Sequence, residues 1–245
     1  MVDMNKESKF TLENAVKELF GEKFPVEKAI SLIEEKIENH RYLSAGIIKQ
    51  LNSIILAYQN QTYEKEKRAA VYLEPESKYQ IKTPESIIEK MWRSKRVHIK
   101  VTDEKIKYTL DNFLEAMEDI IRFRILCNYL CDVDRITEIL PGQMTRLKYE
   151  IIGAPKDFIN KAPEERKKGH RAVHFIFKAT FNMRVYLFEV QIMTLLQNAW
   201  DRKDHSIVYE HKRIGKEIPL KTRMRSYAMS EMLYVADDYF NEIVT

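Results

Sequence analysis

The chain has 245 residues, of which 44% are hydrophobic and 32% charged, so it can bury a sizeable core as one large domain or one domain with helical additions. Its formal net charge of +4 is too small to indicate nucleic-acid binding by itself, although it suits a protein that receives phosphorylated small molecules. With only two cysteines, the chain cannot be organised by a framework of disulfides. No stretch reaches the roughly 18 apolar residues that are needed to cross a membrane. Because the N-terminus also lacks the apolar core of a signal peptide, we expect a cytoplasmic protein with no membrane partner.

Residues 1–70 have the spacing of apolar side chains that is typical of helices. Helices are predicted over residues 11–20, from Pro25 onward, and over residues 43–58. This N-terminal helical region carries no convincing group of catalytic side chains. We expect it to pack against a catalytic sheet or against a partner subunit, and the second alternative would make the protein a homo-oligomer.

The next segment has the pattern of a helix N-terminus that binds phosphate. Thr83 can cap the helix and Pro84 suits its first position, while Lys82 precedes it and Ser86 and Lys90 lie one turn apart. Free backbone N–H groups and the helix dipole favour anions at such an end. A capped surface helix with solvated lysines would have the same sequence, so this pattern alone does not decide between the two.

A predicted helix over residues 109–118 leads into a strand over residues 119–127, which is rich in β-branched and aromatic residues. This strand carries Asp119, Arg122 and Arg124. Further along the chain we predict, in order, a helix over residues 133–139, an extended segment over 143–152 that leads toward a strand, and a basic loop over 153–169.

Two histidines, His170 and His174, follow the basic loop with the H-x-x-x-H spacing of a zinc pair. That spacing needs a helix, whereas the residues after His174 resemble a strand and no third ligand is placed nearby, so zinc is not expected. Residues 173–181 and 185–192 are predicted to form an antiparallel hairpin around Asn182.

The end of this hairpin has the densest polar pattern in the chain. Period 2 puts Glu189 and Gln191 on one face of the strand, and Thr194 can cap the helix that follows. On that helix one side carries Asn198, Arg202 and His205, and an apolar stripe is predicted at Leu196, Ala199 and Trp200. A last helix is predicted to have its apolar side at Met224, Ala228 and Val235. Polar groups thus converge at a strand-to-helix junction, where α/β sheets bind ligands.

In this order the motifs resemble those of the RelA/SpoT family of alarmone (ppGpp) synthetases, over roughly residues 78–212. The resemblance rests on matches at Lys82, Ser86, Lys90, Asp119, Arg124, Lys156, Asp157, Phe158, Ile159, Gly169, Arg171, Ala172, Val173, His174, Glu189, Gln191, Thr194, Trp200, His205 and Tyr209. The chain departs from the family's usual residues at Gln80 and Met193 (for Arg), Arg122 (for Gly), His170 (for Tyr), Asp204 (for Glu) and Glu210 (for Lys).

The resemblance implies an α+β fold, in which a mixed β-sheet related to that of the nucleotidyltransferases is flanked by helices. It divides the chain into the N-terminal helical region (1–70), a synthetase core (71–215) and a C-terminal helix that packs on the core (216–245). The implied reaction is Mg²⁺-dependent transfer of pyrophosphate from ATP to the 3′-hydroxyl of GDP or GTP, which yields (p)ppGpp and AMP.

The resemblance also implies roles for individual residues. Catalysis is expected of Asp119, Glu189 and Gln191, with Asp119 and Glu189 near enough to share one Mg²⁺. ATP is expected to contact Lys82, Ser86, Lys90, Arg122 and Arg124. The acceptor nucleotide is expected to contact Lys156, His170, His174, Asn198, Asp204 and His205. Because Gln80 cannot stack on adenine as the family's arginine does, Arg124, with Arg122, is expected to contact the adenine instead, and His170 is expected to stack on the acceptor base.

Three other functions compete with this interpretation. The same chemistry could act on the 3′ end of tRNA, which the residue change at His170 and the basic loop allow. The replacement of the family's cations at Gln80, Met193 and Glu210 would suit a nucleotide-binding protein with weakened catalysis. A purely structural or interaction module agrees least with the order of the motifs.

Overall fold

The computed structural model describes residues 10–74, 80–96, 100–101, 104–105, 107–160, 169–209, 211 and 217–245. Its helices are α1 (Leu12–Phe20), α2 (Val26–Lys36), α3 (Glu38–Glu66), α4 (Pro84–Arg96), α5 (Phe113–Ala116), α6 (Leu130–Arg146), α7 (Leu195–Asp204) and α8 (Leu220–Val244), with a π-helical turn at His205–Tyr209. Its strands are β1 (Val71–Leu73), β2 (Lys100–Val101), β3 (Glu104–Lys105), β4 (Ile121–Cys127), β5 (Glu150–Ile151), β6 (Lys156–Asp157), β7 (Val173–Phe181) and β8 (Arg184–Thr194).

The main sheet has the order β1-β4-β8-β7-β5, and β6 pairs with the other end of β7. Strands β4 and β8 are parallel, whereas every other pair in this sheet is antiparallel. The hairpin β7–β8 turns at Asn182 and Met183, which both have positive φ angles, as predicted for a tight turn. The predicted α+β class, a mixed sheet flanked by helices, is confirmed.

One face of the sheet forms the main core together with α3 and α6. Alternate residues of β8, namely Phe188, Val190 and Ile192, point into this core, so the residues between them point to the opposite face. The ring of Phe188 stacks on that of Phe177 at 5.4 Å between centroids. Burial of each such aromatic side chain stabilises the fold by roughly 2–3 kcal/mol. The core therefore fixes which strand residues face the other side.

A second core lies among α1, α2, α4 and α5 and includes Val16, Ile33, Ile87, Trp92 and Phe113. Helix α4 is buried in this core, and its N-terminus is the predicted phosphate-binding end. The second core thus holds that end in place. Among the described residues, no helix is long and apolar enough to span a membrane.

Several helix boundaries differ from the prediction. The helix predicted over residues 109–118 is only Phe113–Ala116, because the Asn112 amide bonds to the backbone of Thr109 and Lys107 and holds the preceding residues in turns. Helix α3 continues well beyond residue 58 and ends at Lys67, which has a φ of 56°. Helix α6 starts before residue 133 and runs through Pro141, because a proline removes one backbone donor without necessarily ending a helix.

The apolar stripe predicted in α7 is confirmed only at Trp200, and the one predicted in α8 is wrong. In α7 the buried residues are Gln197, Asn198 and Trp200, whereas Ala199 is exposed. In α8 the predicted apolar residues Met224, Ala228 and Val235 are all exposed, and the buried ones are Ser230 and Asp237. The reason is that hydrogen bonds as well as apolar contacts hold α8 to the rest of the fold. Ser230 donates a hydrogen bond to the Gly169 carbonyl, and Thr194 donates one to Asp237.

His40 generates a prediction about acid stability. It is completely buried in α3, edge-on to the Tyr186 ring at 4.8 Å between centroids. Burial lowers the pKa of His40 from 6.5 to about 4, and a backbone contact with Leu114 offsets only part of this effect. The unfolded chain therefore binds more protons than the folded protein as the pH falls from 6.5 toward 4, and stability is lost over that window.

We expect the free energy of unfolding to drop by about 2 kcal/mol from this group between pH 7 and pH 5. His40→Phe should remove that part of the pH dependence, whereas the same change at the exposed His205 should not. Urea unfolding at both pH values measures the difference. An equal pH dependence in the wild type and His40→Phe would contradict the assignment.

Candidate functional site

The face of the sheet opposite the main core carries a row of polar side chains. Cross-strand pairing places Arg122 of β4 beside Glu189 of β8, and Arg124 beside Gln191. On the other side of β8, His174 of β7 pairs with Gln191. The predicted shared face of Glu189 and Gln191 is therefore confirmed, and the pairing brings three further predicted residues next to them.

Glu189 is held by donors at both of its oxygens. His174 Nδ1 lies 2.8 Å from Glu189 Oε1, and Gln191 Nε2 donates to Oε2 at 2.8 Å. Burial by itself would raise the pKa of Glu189, but the charge of His174 and its hydrogen bond outweigh burial and lower the pKa to about 2. A fixed carboxylate anion thus lies at the centre of the polar face.

His174 continues into a pair of histidines. Its Nε2 lies 2.8 Å from His170 Nε2, and His170 Nδ1 lies 2.9 Å from Asp201 Oδ1. The edge of the Phe158 ring packs against both imidazoles, at 5.1 and 6.1 Å between centroids. The H-x-x-x-H spacing therefore forms a direct hydrogen bond in an extended segment. Among the described residues, no three His, Cys, Asp or Glu side chains converge as a metal site.

Arg124 is fixed by three side chains. Its Nε donates to Gln191 at 3.1 Å, its Nη1 to Asn198 at 2.9 Å, and its Nη2 to Asp201 at 2.6 Å. Only 11% of its side chain is exposed. Burial would raise the pKa of Asp201, but the hydrogen bond from His170 and the charge of Arg124 hold it well below the usual range. Asp201 is thus an anion that lies between a guanidinium and an imidazole.

At the predicted phosphate-binding end of α4, two lysines form ion pairs with one carboxylate, that of Asp119. Lys82 Nζ lies 2.9 Å from Asp119 Oδ2, and Lys90 Nζ lies 2.6 Å from Oδ1. The two lysine charges hold the pKa of Asp119 far below its usual range, against the effect of burial. The predicted cap is confirmed, because the Ser86 backbone N–H donates to the Thr83 hydroxyl at 3.3 Å.

Arg122 lies between the lysine-rich end and Glu189. Its backbone N–H donates to the Gln80 carbonyl at 2.8 Å, so Gln80 is its neighbour on one side, and Glu189 is its neighbour on the other. The Arg122 charge helps to lower the pKa of Glu189. The charge of Asp119 acts in the opposite direction on Glu189, so the two predicted metal ligands interact electrostatically. That one metal ion can join them stays a prediction.

The contacts of the remaining predicted acceptor residues lie outside this cluster. Lys156 of β6 pairs across the sheet with His174 but forms an ion pair with Glu118 at 3.2 Å. Asp204 accepts a hydrogen bond from Ser226 of α8, and His205 is exposed in the π-helical turn. Their roles in acceptor binding stay predictions.

Two site residues were not predicted from the sequence. Asp201 lies one helical turn after Asn198, a spacing that could have identified it, but Arg202 was assigned to that side and in fact bonds to Glu74 of the chain next to β1. Arg171 is only 1% exposed and bonds to the Ile159 carbonyl and to Glu231 of α8. The resemblance includes Arg171 as a motif match but gives it no role, and no periodicity marks it, because it precedes the strand.

An open cavity of about 510 Å³ lies elsewhere, on the opposite side of the sheet between α3 and α6, and is lined by residues such as Lys49, Ile54 and Arg146. None of the hydrogen-bonded side chains described above lines it. The polar face is the better candidate for chemistry, because the ionised groups converge there.

Most of the residues of this polar face lie in a segment of the chain that matches a known protein family. Residues 79–214 match the family model described as a region found in RelA / SpoT proteins. The chain is 28% identical over 134 residues to the GTP pyrophosphokinase YjbM of Bacillus subtilis (strain 168), which covers 53% of this chain and 59% of YjbM. It is 25% identical over 166 residues to YwaC, another GTP pyrophosphokinase of that organism. This match covers 66% of this chain and 70% of YwaC.

Solved structures show the same fold. The small alarmone synthetase 1 of Bacillus subtilis bound to its product pppGpp has a TM-score of 0.60 and 24% identity, over 84% of this chain and 96% of that chain. A GTP pyrophosphokinase family protein of Streptococcus pneumoniae has a TM-score of 0.58 and 22% identity, over 84% and 93% of the two chains.

Gly169 generates a prediction about the loop that presents His170. Its φ is +87°, and a Cβ would lie 3.0 Å from both Ser230 Cβ and Trp200 Cζ2. Gly169→Ala should destabilise the fold by about 2 kcal/mol, since it adds both backbone strain and a steric clash. Gly46→Ala in α3, where a Cβ meets nothing within 4 Å, should instead stabilise the protein by up to about 1 kcal/mol. Urea unfolding of the two variants compares them, and shifts of the same sign would refute the packing argument.

Proposed function

The chain belongs to the RelA/SpoT family, and on that basis we propose that it is a pyrophosphokinase that transfers pyrophosphate from ATP to the 3′-hydroxyl of GDP or GTP. The match to YjbM spans less than two thirds of that relative, so the activity rests on the site as well as on the family. The observation that supports it most is the position of Glu189, an ionised carboxylate between a cationic group of side chains on one side and the histidine pair on the other.

The donor half of the site is formed by Lys82, Ser86, Lys90, Arg122 and Arg124. Four of these five side chains are cations, of which Lys82 precedes α4 and Lys90 lies on it, and this arrangement suits a polyphosphate. In the ligand-free protein Asp119 neutralises Lys82 and Lys90. Bound ATP phosphates compete with Asp119 for these lysines. Arg122 supplies a cation directly across from Gln80, the position where the family's usual arginine is replaced.

The acceptor half of the site is formed by Lys156, His170, His174, Asn198, Asp204 and His205. Glu189 accepts a hydrogen bond from the attacking 3′-hydroxyl and orients it toward the β-phosphorus of ATP. The new bond joins this oxygen to the β-phosphorus as the bond to the α-phosphate oxygen breaks and AMP leaves. With a pKa of about 2, Glu189 orients the hydroxyl better than it removes the proton, so proton removal requires that its bond with His174 loosens. Gln191 keeps the Glu189 carboxylate in its orientation.

The carboxylates fit a magnesium ion. Mg²⁺ prefers carboxylate oxygens, retains several waters, and is usually held by one or two carboxylates together with substrate phosphates. Asp119 and Glu189 are both ionised, and a carboxylate oxygen that accepts one hydrogen bond has a second lone pair. We propose that these two residues hold Mg²⁺, which when bound neutralises the charge of the polyphosphate.

The products of the reaction test the proposed function. Purified protein incubated with Mg²⁺, γ-labelled ATP and GDP or GTP should release AMP, not ADP, and transfer the label to the acceptor. Glu189→Gln should lower the rate at least about 100-fold, because the amide cannot orient the hydroxyl in the same way. Glu150→Gln, on an outer strand, is the matched control and should retain activity.

A parallel reaction with tRNA as acceptor separates the two substrates. Label on tRNA alone would establish the same chemistry with a different acceptor. Release of ADP, or no product with any acceptor, would overturn the proposal.

We also propose that the protein is a homo-oligomer that pairs through α8. The outer face of this helix exposes large apolar side chains along its length, at Leu220, Met224, Met229, Met232, Val235, Tyr239, Phe240 and Ile243. Polar residues of α8 already bind the core, so the apolar row is left for another surface. A second copy of the same helix matches it, because a two-fold axis sets one row against itself.

Light scattering tests this pairing. The wild type should have at least twice the 29.2 kDa mass of one chain. A Met232→Glu/Val235→Glu variant should shift to the monomer, since charges would be buried in the apolar contact. Lys203→Glu on α7 should leave the mass unchanged. A monomeric wild type would rule the pairing out.

A further inference from the structure

Six side chains of the polar face close a ring of hydrogen bonds. In order they are Arg124, Gln191, Glu189, His174, His170 and Asp201, and Asp201 bonds back to Arg124. Every link is between 2.6 and 3.1 Å. Five members belong to the sheet or to the segment that enters it. Asp201 is the exception, because it comes from α7.

Asp201 is the ring member that connects α7 with Arg124 of β4 and with His170, which precedes β7. Its Oδ2 accepts from Arg124 Nη2 and its Oδ1 from His170 Nδ1, so each oxygen holds a different strand region. Arg124 belongs to the proposed donor half and His170 to the proposed acceptor half. Without Asp201 the ring would be an open chain whose two ends, Arg124 and His170, have no common partner.

We infer that Asp201 is a positioning residue that fixes the donor and acceptor halves of the site relative to each other. This inference rests on the proposed function for the identity of the two halves. Asp201 touches neither the reacting atoms nor, in this assignment, either nucleotide. It acts through Arg124 and His170, and in-line transfer between two substrates depends on their relative placement.

Counting protons shows what the ring requires. Carboxylates only accept, so His170 Nδ1 and His174 Nδ1 must both carry hydrogens that face Asp201 and Glu189. The contact between the two Nε2 atoms needs one further hydrogen. His170 Nδ1 is therefore the donor to Asp201, and the hydrogen that it carries depends on the group at position 201.

The same count distinguishes an amide from a methyl group at position 201. In Asp201→Asn the amide oxygen can still accept from Arg124, and its NH₂ group donates to His170 Nδ1. His170 then carries its hydrogen on Nε2 and donates to His174, so every hydrogen bond is kept. In Asp201→Ala both bonds are lost. The asparagine variant therefore separates position from charge.

The test compares Asp201→Ala and Asp201→Asn with Asp238→Ala, an exposed aspartate of α8, as control. Calorimetry measures the affinity for a non-hydrolysable ATP analogue and, separately, for GDP. We expect Asp201→Ala to weaken both ligands about tenfold and to lower kcat/KM about 100-fold, since displacement of a positioning group by about 1 Å can have that effect. Asp201→Asn should remain within about threefold of the wild type, and Asp238→Ala should be unchanged.

Two comparison variants show whether the effect spans both halves. Arg124→Ala should weaken only the ATP analogue, and His170→Ala only GDP, whereas Asp201→Ala should weaken both. In ¹⁵N spectra of histidine-labelled protein, His170 Nδ1 should be protonated in the wild type and unprotonated in Asp201→Asn. This spectroscopic change would not follow from a general loss of stability.

The inference is overturned if Asp201→Ala weakens at most one ligand, or if Asp201→Asn is as impaired as Asp201→Ala. An unchanged His170 signal in Asp201→Asn would also overturn it. The binding and spectroscopic measurements do not require turnover. A wild-type protein that forms the ring and binds both nucleotides but transfers no pyrophosphate would refute the proposed function and leave the positioning role intact.

Discussion

The site depends on one interaction, the pairing of the Glu189 carboxylate with His174 and Gln191. A buried carboxylate without partners would take up a proton, because transfer of the charge out of water is unfavourable. Here both oxygens accept hydrogen bonds, and the pKa falls to about 2. His174 comes from the neighbouring strand β7 and Gln191 from β8 itself, so the pleat of the sheet and the aromatic core behind it determine where the charge lies.

Two other carboxylates of the site are also kept ionised by partners at both of their oxygens. Asp119 lies between Lys82 and Lys90, and Asp201 between Arg124 and His170. In each case a low pKa keeps the carboxylate ionised, and the charge holds cations in place before any ligand binds. Preorganised cations reduce the cost of arranging side chains around a polyphosphate. Together these pairs hold the cations of the polar face in fixed positions.

Much of the site could be predicted because strand and cap patterns are local. The shared face of Glu189 and Gln191, the hairpin at Asn182 and the caps at Thr83 and Thr194 follow from period 2 and from short-range hydrogen bonds. The faces of α7 and α8 could not, since they depend on what these helices cover, although its spacing from Asn198 could have identified Asp201. Apolar periodicity predicts an inward stripe, but α8 forms hydrogen bonds with Gly169 and Thr194, so Ser230 and Asp237 face inward and Met224 and Val235 face out.

A crystal structure of the protein with Mg²⁺, a non-hydrolysable ATP analogue and GDP tests the central claim most directly. We predict that the analogue's phosphates lie against Lys82, Lys90 and Arg122, and that the 3′-oxygen of GDP lies within hydrogen-bond distance of Glu189. Nucleotides bound away from the polar face, for example in the cavity between α3 and α6, with Glu189 contacting neither of them, would contradict this account.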